Sequence, residues 1–295
     1  VGQSASRTLE YAYDDWCIYQ MGKKLGRPAN ETNIYKQRSQ NYKNIFHPKY
    51  GMMSGRDSKG NFPENFKPDA WWGPFTEGNS WHWTWCVFHD IRGLINLMGG
   101  EQAFLNKLDA VFTTPPTFGG NVDTRKQLIH EMREMQVVNM GQYAHGNQPI
   151  QHMIYLYNFA GQPWKTQYWV REVMRRLYNP TPDGYCGDED NGQTSAWYVM
   201  SSLGFYSVCP ATDQYVLGAP LYKKAKVNLA NGKTIELTAP DNSDENRYVQ
   251  SLKINGKAYD KNYFTHELLL RGAKLQYQMS DKPNTNRGTQ ASAYP

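Results

Sequence analysis

The chain has 295 residues, 39% of them hydrophobic and 20% charged, with a formal net charge of +5. That is apolar mass enough for a sizeable core in one large domain or two ordinary ones, and it reads as globular. Lys and Arg are scattered rather than gathered into a patch, which sets nucleic acid aside, and no run of about 18 apolar residues could span a membrane. The opening VGQSASRTLEYAYDD has neither the charged nor the apolar region of a signal peptide and reads as a helix already inside a domain, so a processed or truncated precursor stays open. Cys17, Cys86, Cys186 and Cys209 stand far apart with no CxxC pair, which argues against a zinc ribbon or a disulfide scaffold and for mostly buried thiols. Aromatic residues reach 14%, with 9 Trp and 21 Tyr. Their faces stack on sugar C–H surfaces, so the excess suits a carbohydrate site.

In chain order, Leu9, Ala12, Tyr13, Trp16, Cys17 and Met21 recur at helical spacing and predict a helix over 4–24, stopped by Gly22 to Gly26. Pro28 opens a second helix to about Phe46, and the two make a hairpin. MMSGRDSKGNFPENFKPDAWWGPF then breaks the pattern, a long excursion of the kind compact domains keep when it forms part of a site. Asn79 caps a predicted helix through NSWHWTWCVFHDIRGLINLM to Gly99-Gly100, and another covers about 101–113. After a loop and TRKQLIHEMREMQ, a further helical hairpin runs IQHMIYLYNFAG then QPWKTQYWVREVMRRLYN, its second arm opened by Pro163. One more helix covers about 192–203. Six or seven paired helices with long loops on one side predict an α/α toroid or solenoid over 1–204, and not a bundle.

From Phe205 the period falls to 2. Val227, Leu229, Asn231-Gly232, Ile235 and Leu237 predict a hairpin with a type I′ turn, and Leu252, Ile254 and Asn255-Gly256 start another. Residues 205–295 are therefore expected to be an antiparallel β region, giving an α+β chain, with a tail or strap from about 281. No fixed-period repeat is present.

Three loops share a character, each setting a carboxylate or amide beside Gly and Asn just before an apolar helix. They are FTEGNSWHW (Glu77, Asn79), YAHGNQPIQH (His145, Asn147, Gln148) and GDEDNGQTSAWY (Asp188, Glu189, Asp190). Taken singly, Glu77 reads as a helix-capping carboxylate and the acidic group as a solvated turn. Taken together on one barrel rim, Glu77 and Asp190 could be the two carboxyls that glycoside hydrolysis requires. Metal alternatives fare worse: HEMRE lacks the second zincin histidine, having Glu134 there, and the acidic loop fails the EF-hand spacing. His82 with His89, and His145 with His152, are too far apart in sequence for one ion and read as core or surface histidines.

EGNSWHWTW (77–85), IHEM (129–132), HGNQPIQHMIYLYN (145–158) and GDEDNGQTSAWYVMSSLGFYSVCP (187–210) resemble the bacterial exo-acting α-mannosidases of glycoside hydrolase family 92. The resemblance runs across nearly the whole chain and covers the C-terminal part of the family's architecture. It implies an N-terminal β-sandwich and barrel half as intramolecular partner, with this chain starting partway through an (α/α)6 barrel. It further implies calcium-dependent, inverting release of terminal α-1,2-linked mannose from a glycan. Glu77 matches the general acid, Asp190 the general base and Asp188 the aspartate supporting that base. His130 and Glu131 match the pair that contacts the leaving mannose, and Asn147 and Gln148 fall in the motif nearest the Ca²⁺.

Trp71, Trp72, Phe75 and Trp81 are expected to desolvate Glu77 and keep it protonated, with Trp71, Trp72 and His145 among the substrate-binding residues. Inversion predicts roughly 6.5–9.5 Å between the two carboxyls. The resemblance places the protein in the periplasm or at the cell surface. Three other readings stay open at this level: an inactive or carbohydrate-binding fragment, an exo-mannosidase of another linkage, and a helical scaffold that binds protein.

Overall fold

The computed structural model describes residues 2–119 and 128–295. The start of TRKQLIHEMREMQ and the end of the loop before it, residues 120–127, lie outside the described residues. The chain divides into two compact units, Val1–Ile150 and Gln151–Pro295.

In the first unit, α1 (Ser4–Lys24) and α2 (Ala29–Arg38) form the expected hairpin. The buried face of α1 runs through Ala5, Leu9, Ala12 and Asp15, and Asp15 accepts Arg38 of α2 at 3.0 Å. Met21, the last residue of the predicted stripe, is 65% exposed. Helix α2 ends eight residues early, and a 3-10 turn at Asn41–Ile45 leads into the antiparallel pair β1 (Phe46–His47) and β2 (Met52–Met53).

The single helix expected from Asn79 is two: α3 (Ser80–Trp83) and α4 (Ile91–Leu97). The break follows from a second cap that hydropathy does not reveal. Asp90 accepts the Gly93 amide through Oδ1 at 2.9 Å and the Tyr42 hydroxyl through Oδ2 at 2.7 Å, starting α4 afresh. A Cβ at Gly93 would collide with the Tyr42 hydroxyl and the Asp90 carboxylate. Gly93→Ala is therefore expected to cost about 1–3 kcal/mol, read as a lower urea midpoint with an unchanged slope. Helices α5 (Glu101–Thr113) and α6 (His130–Val138) complete the unit.

The second unit opens with Met153–Ala160, expected as an α-helix and found as a 3-10 helix. Its Asn158 amide donates to the Tyr155 carbonyl, the Thr166 hydroxyl and the Leu217 carbonyl, each at 3.0 Å, so a side chain takes a backbone acceptor within the segment. Helix α7 (Pro163–Leu177) begins at its proline as expected, and α8 (Gln193–Ser202) follows the acidic loop. Trp197 of α8 is fully buried, stacked on Tyr178 at 5.9 Å, with its indole N–H on the Gln151 carbonyl at 3.1 Å.

Strands then take over: β3 (Phe205–Tyr206), β4 (Gln214–Leu217), β5 (Lys224–Asn228), β6 (Thr234–Thr238), β7 (Tyr248–Ile254), β8 (Lys257–Ala258) and β9 (Tyr263–Thr265). A short helix α9 (His266–Leu270) precedes β10 (Ala273–Ser280), whose alternate residues Ala273, Leu275, Tyr277 and Met279 are buried. The sheet of order β5-β6-β10-β7-β8 is mixed, because β10 pairs parallel to β6, which corrects the all-antiparallel expectation. The second sheet, β3-β4-β9, is antiparallel.

The type I′ turn is found at Asn255-Gly256, where φ is 51° and 82°. At Asn231-Gly232 only the glycine is left-handed, so the loop is instead closed by the Gly232 amide on the Leu229 carbonyl at 3.0 Å. Residues 281–295 strap the unit: the Arg287 guanidinium donates to the carbonyls of Tyr259 at 3.0 Å and Lys261 at 3.1 Å, and the Asn262 amide donates to Ala293 at 2.8 Å. None of the four cysteines is in a disulfide, Cys86 and Cys209 being buried and Cys17 and Cys186 half-buried.

Candidate active site

The Glu77 loop is fixed through its backbone. Trp83 Nε1 donates to the Thr76 carbonyl at 2.8 Å, the Asn147 side-chain amide donates to the Glu77 carbonyl, and the Trp72 amide donates to the Gly78 carbonyl at 3.2 Å. Three consecutive carbonyls are thus held from three directions. The expected Asn79 cap is present, its Oδ1 accepting Trp81 N at 2.9 Å and His82 N at 3.3 Å. Gly78 cannot be larger without crowding, since a Cβ there would lie 3.0 Å from His82 Nδ1 and 3.1 Å from Trp83 Nε1.

Within this clamp Glu77 has φ 41°, a left-handed conformation that costs a non-glycine residue on the order of 1 kcal/mol. Its carboxylate is exposed and makes no hydrogen bond or ion pair among the described residues. The aromatic enclosure expected around it is not built by the nominated rings. Trp71, Phe75 and Trp81 are buried in the unit, away from solvent, whereas Glu77 is exposed to it. Trp71 packs with Met132, Met135 and Ala144 and lies edge-on to His82 at 5.1 Å, so it serves as core beneath the site and not as a sugar platform.

Trp72 is different: half-buried, left-handed at φ 72°, with an indole N–H that has no partner among the described residues. It lines a cavity of about 660 Å³ with Arg56, Phe62, Phe66, Lys67 and Phe75. The long excursion between β2 and α3 thus does shape a concave surface, with Trp72 as its link to the Glu77 loop.

The cluster that holds Trp71 also seats α6, placing His130 and Glu131 at the helix start in the same unit as Glu77. His130 Nε2 lies 3.3 Å from Glu131 Oε1 and His130 Nδ1 lies 3.0 Å from Glu134 Oε1. Burial, with a smaller push from the Glu77 charge, raises the Glu131 carboxyl above its ordinary range.

The HGNQ loop is mostly internal. His145 is 1% exposed, its Nδ1 lies 2.8 Å from the Tyr143 hydroxyl, and burial lowers its pKa to about 3, so the substrate contact expected of it is replaced by a structural role. His82 is likewise buried, donates through Nε2 to the Gln142 carbonyl at 3.1 Å and is lowered to about 4 by burial. Gln142, which no sequence pattern marks, joins the two loops: it accepts the Asn79 amide at 3.1 Å and donates to the carbonyls of Pro115 at 2.7 Å and Thr117 at 3.1 Å.

Asn147 is buried, and with its amide nitrogen on the Glu77 carbonyl its one side-chain acceptor is Oδ1. Such amide oxygens, from Asn147 and Gln148, fit calcium in donor type, being hard oxygens, while carrying no charge to balance it. Among the described residues no cluster of three or more His, Cys, Asp or Glu side chains is gathered for a metal.

The acidic loop belongs to the second unit. Asp190, Asn191 and Gly192 are successively left-handed at φ 45°, 58° and 90°. Glu189, not either aspartate, does the capping: its carboxylate accepts Gly192 N at 2.9 Å and Ser195 N at 3.2 Å, which holds its pKa below the ordinary range. Thr194 donates to the Asp188 carbonyl at 3.2 Å. Asp188 and Asp190 are exposed, and the Asp190 carboxylate makes no hydrogen bond or ion pair among the described residues. Asp190 therefore matches Glu77 in its unit: a left-handed non-glycine residue on a loop fixed by other groups, presenting an unpaired carboxylate.

The sequence pattern of the glycosyl hydrolase family 92 catalytic domain matches residues 1–281, and the chain belongs to that family. Among solved structures, a family 92 inverting mannosidase of Bacteroides thetaiotaomicron VPI-5482 is 49% identical, with a TM-score of 0.88 over 100% of this chain and 40% of its own. A family 92 α-mannosidase of the same species, in complex with mannoimidazole, is 39% identical, with a TM-score of 0.90 over 100% of this chain and 38% of its own. An uncharacterized secreted glycosidase of Arthroderma benhamiae is 26% identical over 321 residues, covering 99% of this chain and 37% of that protein. The chain spans about 40% of the length of these relatives. No helix among the described residues is long and apolar enough to cross a membrane.

Proposed function

We propose that this chain carries the acid and base of a calcium-dependent, inverting exo-α-mannosidase that removes terminal α-1,2-linked mannose from glycans. The observation that carries the reading is the matched pair of strained, unpaired, exposed carboxylates at Glu77 and Asp190, each on a loop pinned by other residues. At Glu77 a solvated turn has no need of such strain, Asp190 being of a type that turns accept left-handed, and a reacting carboxylate gains from being held in one position. Membership of family 92 and the inverting mannosidase among its similar structures support the same assignment.

In the proposed reaction Glu77 gives its proton to the departing glycosidic oxygen. Asp190 takes a proton from a water attacking the anomeric carbon on the opposite face, and Asp188 supports Asp190 electrostatically. The products are mannose of inverted configuration and a glycan shortened by one residue. Trp72 offers a ring face to the sugar, and His130 with Glu131 meets the leaving mannose. Calcium bound at the amide oxygens of Asn147 and Gln148 would supply positive charge to hold the sugar's vicinal hydroxyls. On this reading residues 1–204 contribute to an (α/α)6 barrel, residues 205–295 form its β-rich companion, and the rest of the barrel and a β-sandwich come from elsewhere in the protein. The secreted relative supports a periplasmic, surface or secreted location.

The test is mannose release from α-1,2-mannobiose with and without chelator. EGTA is expected to lower the rate by roughly 10²-fold or more, with recovery on added calcium. Chelator-insensitive release would contradict the calcium assignment, and equal rates on α-1,3- and α-1,6-mannobiose would contradict the linkage. The exposure of Glu77 favours one second reading, a chain that by itself binds mannosides without turning them over. That reading predicts calorimetric binding of α-1,2-mannobiose with no product.

A further inference from the structure

His130 stands at the first position of α6 with a carboxylate facing each ring nitrogen, Glu131 on Nε2 and Glu134 on Nδ1. Glu134, four residues on, lies on the same helix face, and an ordinary exposed pair at this spacing stabilises a helix only slightly. Two features depart from an ordinary pair. The second oxygens of both carboxylates, Glu131 Oε2 and Glu134 Oε2, are buried without hydrogen-bond partners, so both side chains turn inward around the imidazole. Glu134 Oε1 accepts from Nδ1, the nitrogen nearer the backbone, which fixes the ring's rotation and, with Glu134 ionised, keeps a proton on Nδ1.

We propose that Glu134 is a positioning residue: by accepting the Nδ1–H of His130 it aims the other ring edge, Nε2, at the place shared by Glu131 and the leaving sugar. The inference rests on the proposed role of the His130–Glu131 pair, and it adds a residue that the pair's motif does not contain. With Nδ1–H committed to Glu134, Nε2 of the neutral ring is an acceptor, 3.3 Å from the Glu131 carboxyl and within reach of sharing its proton or meeting a sugar hydroxyl. Burial favours a protonated Glu131, which is consistent with that sharing.

The experiment compares wild type, Glu134→Ala and Glu134→Gln, since Gln keeps an oxygen able to accept Nδ1–H. Nitrogen-15 NMR of the imidazoles, with His130 assigned by its loss in His130→Gln, is expected to show an Nδ1-protonated ring in wild type and Glu134→Gln. In Glu134→Ala the ring should become a mixture of tautomers. KM for α-1,2-mannobiose should rise roughly tenfold in Glu134→Ala and within about twofold in Glu134→Gln, with kcat little changed in either. An unchanged His130 spectrum in Glu134→Ala would overturn the proposal even if the protein hydrolyses nothing. If the tautomer shifts while KM stays constant, the ring is positioned but not for the sugar, and the proposal fails in that form. A wild type that releases no mannose from any linkage defeats the functional reading, while the spectrum still decides the Glu134 contact.

Discussion

Replacing Glu77 by glutamine is expected to lower mannose release from α-1,2-mannobiose by about 10² to 10⁴-fold, the usual worth of a general acid acting on an unactivated leaving group. The loop should survive the change, because what holds it is the carbonyls of Thr76, Glu77 and Gly78 and not the Glu77 side chain. Thermal midpoints of Glu77→Gln and wild type should therefore agree closely. Asp190→Asn is expected to behave alike, since Glu189 and not Asp190 caps α8. An aryl mannoside with a good leaving group separates the two roles: it should largely rescue Glu77→Gln, which needs no proton donor there, and leave Asp190→Asn slow. Full activity of either variant on mannobiose would remove that residue from the reaction.

The second large effect is acid destabilisation of the first unit. His82 and His145 have folded pKa values of about 4 and about 3, below the ordinary 6.5, because burial disfavours their charged forms. In the unfolded chain both take up protons near pH 6.5, and in the folded protein neither does. The stability they carry is present above about 6.5 and is lost as pH falls toward the folded values. At about pH 5 the loss is about 2 kcal/mol for each histidine. Glu131 works in the opposite sense, its raised carboxyl favouring the folded state below about 4.5 and losing that contribution as pH rises through its folded value. Between about pH 7.5 and pH 5 the histidines dominate, and the melting temperature should fall by about 10 °C. A midpoint that is constant or rises over that interval would contradict this assignment.

Much of the helical framework was legible because its signals are local. The spacing through Leu9 and Ala12, the Gly-Gly stop before α5 and the proline at the head of α7 each act within a turn or two of the residues they define. The misses are long-range. Asp90 restarts a helix partly by holding Tyr42, 48 residues away, and the parallel pairing of β6 with β10 joins segments separated by most of the C-terminal sheet. The 3-10 winding at Met153–Ala160 reflects an asparagine serving partners as distant as Leu217.

The site shows the same division. Glu77 and Asp190 could be picked from their loops, since Gly and Asn beside a carboxylate mark a turn before a helix. Which aromatic faces the site could not: adjacent tryptophans point to different fates, Trp71 to the core and Trp72 to a cavity, and only packing decides between them. His145 was drawn into the site by its neighbours in sequence and is held in the interior by Tyr143. Gln142 is marked by no pattern and Glu189 by none that reveals its cap, because their work is to satisfy backbone and side-chain groups that the fold alone brings to them.

The most direct test of the central claim is the configuration of mannose at the moment of release. Proton NMR of methyl α-1,2-mannobioside, whose leaving methyl mannoside cannot mutarotate, in the first minutes of digestion should show β-mannopyranose appearing ahead of the α-anomer. Appearance of the α-anomer first would mean a retaining reaction, and would contradict Asp190 as a water-activating base.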